Sequence, residues 1–140
     1  MLKAITLLLL LALASCSSKP TPTQTDTPAE PTIIGTWHWK ESISAWRPDT
    51  LTPARCGCTS TLRFRADSTF DQLENDNVVT SGPYALQRGH PNYPADSSLW
   101  IKYDIGGPNG LFGPIPVVLT NTLLEFDSRA WDGPLERYTR

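Results

Sequence analysis

Over residues 33–140, apolar and polar positions alternate in short runs of period two. Between Thr36 and Ser44, Trp37 and Trp39 fall on one face and His38 and Lys40 on the other. Leu62 and Phe64 oppose Arg63 and Arg65. Leu99, Ile101 and Tyr103 oppose Trp100, Lys102 and Asp104, and Leu124 and Phe126 oppose Glu125 and Asp127. An apolar face that recurs at every second residue is the pattern of a strand lying over a core. Between the runs stand Ala66-Asp67-Ser68, Asn75-Asp76-Asn77, Gly106-Gly107-Pro108-Asn109-Gly110, Thr120-Asn121 and Asp132-Gly133-Pro134. These residues tolerate left-handed or pre-set backbone angles, so each group predicts a turn. No window in this region has the length and period of a helix. Short strands joined by hairpins predict an all-β antiparallel meander, and closing it into a barrel removes its exposed edges. The expectation is a small up-and-down barrel of about eight strands.

The N-terminal residues follow a different pattern. Lys3 precedes an apolar run from Ile5 to Ala14, interrupted only by Thr6. This run is far shorter than the roughly 20 residues a membrane-spanning helix needs, and it fits the apolar core of a cleaved secretory signal. Leu13-Ala14-Ser15-Cys16 ends the run and resembles a lipobox, the processing site of bacterial lipoproteins. The leucine fills an apolar pocket, and the small residues give a peptidase access to the backbone. The resemblance implies cleavage after residue 15, a diacylglyceryl group on the Cys16 thiol and a fatty acyl chain such as palmitate on the new amino end. Several acyl chains, at about 0.8 kcal/mol per buried methylene, make a durable membrane anchor. Ser17, where inner-membrane lipoproteins carry Asp, implies sorting to the outer membrane, facing the periplasm or the outside.

From Ser17 to Pro31 the chain is rich in Pro and Thr and has no aromatic or branched aliphatic residue. Such a segment buries too little apolar surface to offset the entropy of ordering, so a disordered spacer is expected across residues 16–32. Residues 33–140 are the size of one domain. The formal charge of the whole chain is −2, and losing the signal, whose one charged side chain is Lys3, makes it −3. This mild acidity gives no reason to expect nucleic acid as a partner.

Gly35-Thr36-Trp37, at the start of the first predicted strand, looks like the Gly-x-Trp motif of lipocalins. The strand-turn-strand Leu62–Phe70, the Gly82-Pro83-Tyr84 strand, the apolar pair Leu123-Leu124 and the terminal Tyr138-Thr139-Arg140 follow in the order found in the small lipocalin-like lipoproteins of Bacteroidetes, which the domain resembles. The resemblance implies that Trp37 closes one end of the barrel beneath a stacked arginine, Arg140 or, in another register, Arg137. It places Trp46 and the loop through Cys58 at the mouth. The prolines of Pro114-Ile115-Pro116 suit an edge, a bulge or an opening.

Few groups suggest chemistry. Cys56 and Cys58 are expected to pair in an oxidising compartment, although so small a ring constrains the unfolded chain little. Copper or redox handling there would need reduced, accessible thiols. His38 and His90 read as solvated, with no spacing that suggests a triad. Glu74-Asn75-Asp76-Asn77 lacks the remaining ligands of a calcium loop and reads as a hairpin turn. No phosphate loop or zinc motif is present. No enzyme activity, cofactor or metal is expected. The candidate ligand-lining residues are Trp39, Trp46, Phe64, Phe70, Tyr84, Tyr103 and Phe126, since aromatic-lined concavities hold apolar molecules. The expected function is binding of a small hydrophobic or amphipathic molecule at the cell envelope. The alternative is a protein-binding module, an inhibitor or assembly accessory, with a filled barrel.

Overall fold

The computed structural model describes residues 30–47, 49–90, 92, 96–104 and 111–140. The predicted signal, Cys16, most of the predicted spacer and the turn predicted at 106–110 lie outside the described residues. The elements, in chain order, are β1 (Gly35–Ile43), β2 (Thr50–Leu51), a one-turn helix α1 (Pro53–Cys56), β3 (Ser60–Phe64), β4 (Thr69–Glu74), β5 (Asn77–Arg88), β6 (Leu99–Asp104), β7 (Leu111–Leu119), β8 (Leu123–Asp127) and β9 (Leu135–Thr139). A single 3-10 turn, Arg129–Trp131, lies between β8 and β9.

Every strand pairs antiparallel with its neighbour, and β9 returns to pair with β1. The two-residue β2 hangs on the end of β1 outside the ring, so the other eight strands form a closed up-and-down barrel, as the alternation predicted. Closure removes the free edges that would otherwise template pairing with other chains. The side chains predicted to face inward make up one buried cluster, which includes Trp37, Leu62, Phe64, Phe70, Ile101, Leu124 and Phe126.

One end of the barrel is shut. Ile33 is buried there, and the Trp37 indole donates to the Ile33 carbonyl at 2.7 Å. Arg140 lies over the Trp37 ring, 4.0 Å from its centroid, and donates to the Thr32 carbonyl. Arg137 faces the other way, bridging Glu41 of β1 and Glu125 of β8 at 2.7 Å each along the closing seam. Gly35 begins β1 at φ +132, a backbone angle that side chains disfavour. The last residues of the predicted spacer are engaged here too, through Thr32 and through an exposed Glu30–Arg88 ion pair.

A register shift between Trp39 and Glu41 in the β1–β9 pairing sets the course at the other end. Past the shift, Ser42 stands opposite Glu136, and both side chains face the lumen. In β7, pairing with β8 begins at Val117, so Pro114 and Pro116 lie in a half-strand bonded on one side only, close to a register shift in β6. Prolines belong at such positions because they have no N–H to give to a ladder.

Candidate functional site: the lumen and its mouth

Aromatic rings cross the lumen from wall to wall. Phe64 meets Tyr84 edge-on at 4.9 Å, and Phe70 meets Tyr103 at 4.9 Å. Tyr103 reaches Phe126 at 5.9 Å, and Phe126 reaches Tyr138 at 5.7 Å. Five of these six rings were expected to line a ligand site, and they touch one another instead. Trp39 joins the same core and is buried. Trp46 does not: it is 73% exposed in the loop after β1, outside the lumen.

Toward the mouth the filling becomes polar. The Trp39 indole donates to Ser42 Oγ at 3.0 Å. Ser42 Oγ and the Tyr138 hydroxyl each donate to the Glu136 carboxylate at 3.4 Å, long for bonds of this kind. No ion pair reaches Glu136 among the described residues. Burial pushes its pKa above the ordinary carboxyl range, and the bonds from Ser42 and Tyr138 only partly oppose this. Burial, with Glu136 nearby, also holds the Tyr138 and Tyr103 hydroxyls well above the usual phenol range. Ser60 faces the Tyr138 hydroxyl, yet its buried Oγ makes no hydrogen bond of good geometry.

The sequence reading passed over Glu136 and Tyr138 as lumen residues. The signal was present: an inward Arg140 fixes the parity of β9, and period two then turns Tyr138 and Glu136 inward as well.

Outside this network, an open cleft of about 220 Å³ lies between the β1–β2 edge and the loop before β9. Ser42, Ser44, Asp49, Leu51, Asp132 and Pro134 contribute to its walls. Asp49 is tied to Arg55. Gly133 packs so close to Ser128 that a Cβ would stand 2.2 Å from the serine Oγ.

The remaining candidates are scattered. Cys56 and Cys58 form a disulfide in the mouth loop. His38 is exposed on the outer face, with Nδ1 3.4 Å from Thr61 Oγ1. His90, read from the sequence as solvated, instead packs edge-on against Trp100 at 4.7 Å and is half-buried. Trp100 lies on the predicted outer face and is nevertheless buried. Its indole donates to Asp96 at 2.7 Å, and Trp131 covers it from the loop after β8. Asn75 and Asp76, both at positive φ, make the tight turn between β4 and β5. Among the described residues, no three His, Cys, Asp or Glu side chains converge as metal ligands, and no helix is long and apolar enough to cross a membrane.

Comparison with known protein families, with curated proteins and with solved structures returns no match for this chain. The reading of function therefore rests on the barrel itself: a small closed β-barrel, a scaffold compatible with binding.

Proposed function

We propose that this protein is a binding module, held at the outer membrane of the cell envelope by lipid on Cys16, and that it binds a protein at the mouth of its barrel. The observation that carries this reading is the contact of rings from Phe64 to Tyr138 across the lumen. A carrier of apolar molecules needs an enclosed volume of roughly 300–1,000 Å³, and here those side chains occupy the interior. The resemblance to lipocalin-like lipoproteins suits the same architecture, but architecture alone does not choose a ligand.

The mouth supplies the surface. Trp46, Leu51, Val78 and Val79 are 73%, 43%, 56% and 50% exposed, all in segments at the open end on the β1–β5 side. Exposed apolar groups gathered in this way mark interaction sites. Glu74, Asp76 and Asp132 at the same end have no ion-pair partner among the described residues. Arg47, beside Trp46, also has no ion-pair partner among the described residues, so the excess charge there is acidic and the complementary surface mainly basic, with apolar side chains. The chain enters the barrel at the shut end, opposite the mouth.

Titrating the protein with a fluorescent fatty acid, read by tryptophan quenching, separates the two readings. The expected result is no saturable binding in the micromolar range. One-to-one binding near −8 kcal/mol would overturn the proposal in favour of a carrier. In cells, a photo-crosslinking residue at position 46 should join a partner protein, while one at outward-facing Arg63 should not.

A further inference from the structure

We propose that Cys56–Cys58 is a thiol–disulfide exchange site whose substrates are polypeptides carrying a pair of thiols. The two sulfurs differ in their surroundings. Cys56 is exposed at the end of α1, a helix with no buried residue, whereas Cys58 is half-buried against the core. An attacking thiolate must reach a sulfur in line with the bond, so access selects Cys56 as the one attacked. The Cys58 backbone N–H points at Cys56 Sγ at 3.1 Å and favours a thiolate there once the bond is open.

The pair has little structural work to do. The ring it closes spans two residues of sequence separation, so it takes almost no entropy from the unfolded chain. It ties no strand to another. The same loop exposes Trp46 and Leu51, an apolar surface on which an unfolded segment can rest.

The reaction is balanced within the pair and its substrate. A substrate thiolate bonds to Cys56 Sγ, the Cys56–Cys58 bond breaks, and its electron pair leaves on Cys58 Sγ, which takes a proton from water. The second substrate thiolate then attacks the substrate sulfur of the mixed disulfide, and Cys56 leaves as thiolate. The substrate dithiol is oxidised to a disulfide and the protein pair is reduced to two thiols. Exchange with a low-molecular-weight disulfide restores the protein pair and reduces that compound to two thiols.

The test uses the full chain and a synthetic peptide bearing two cysteines. The expected result is oxidation of one peptide per protein, at least about tenfold faster than by a free peptide of residues 52–59. Cys58→Ser, preloaded on Cys56 with a low-molecular-weight thiol as a mixed disulfide, should trap a one-cysteine form of the peptide in its place and release that thiol, and Cys56→Ser, preloaded on Cys58, should trap it at least about tenfold more slowly. A rate no greater than that of the free peptide, or equal trapping by the two variants, would overturn the proposal. Unchanged tryptophan fluorescence in both variants will show that trapping is compared between folded proteins.

Discussion

Glu136 stands in the mouth of the barrel beside the Ser42 and Tyr138 hydroxyls, with no cation paired to it among the described residues. A carboxylate inside a barrel, without a cation, is disfavoured by burial, and two long hydrogen bonds offset this only in part. Its pKa is raised in the folded protein, so its favourable contribution is complete below the ordinary carboxyl range and is lost as pH rises through the raised value. Asp49, Asp67 and Asp96 work in the opposite sense, since hydrogen bonds lower their values and their contribution is lost as pH falls. Glu136→Gln isolates the first effect. The variant should be more stable than the parent at neutral pH, and the difference in urea midpoint should shrink toward acid pH. A constant difference would mean that Glu136 is already neutral or well solvated. Arg140 offers a simpler measurement. Removing its guanidinium from the Trp37 face by Arg140→Ala should cost about 0.5–2 kcal/mol, measured by denaturant unfolding, with part of the loss restored in Arg140→Lys.

Among the elements, the strands and the tight turns between them were legible, and the packing of the longer loops was not. Period two gave the inward faces of β1, β3 and β8, since a one-residue slip would turn each apolar set to solvent. It gave Trp100 an outward face correctly, and this is where the reading stopped short. What covers that face, Trp131 and His90, comes from loops 31 and 10 residues away in the sequence, and no local pattern announces such contacts. The mouth loop carries a prediction of its own. Because its disulfide closes so small a ring, the double variant Cys56→Ser/Cys58→Ser should leave the thermal midpoint within a few degrees of the parent, about 1 kcal/mol or less. A larger fall would assign the bond a structural role. Gly133 should be far less tolerant, and Gly133→Ala should destabilise the turn before β9, because its Cβ would overlap Ser128.

For the whole molecule, the anchor and the barrel are separate questions with separate tests. Cys16→Ser should abolish labelling by radioactive palmitate and move the protein from the membrane fraction to the soluble one, leaving the barrel's unfolding midpoint unchanged. Retention in the membrane without label would overturn lipid anchoring. The sequence by itself determined that residues 33–140 would be all β, where β1, β3, β6 and β8 would run and which of their apolar side chains would turn inward, because alternation is a property of neighbouring residues. The Trp37–Arg140 pair came within reach only through the resemblance to the lipocalin motif, which left Arg140 and Arg137 both open. Only the tertiary structure decided what the inward residues do. Whether rings surround a space or touch across it depends on the spacing of walls built from strands distant in sequence. The same distance hid the environment of Glu136: burial and the lack of a cation are set by Ser42 and Tyr103 on other strands, not by its own neighbours in the chain.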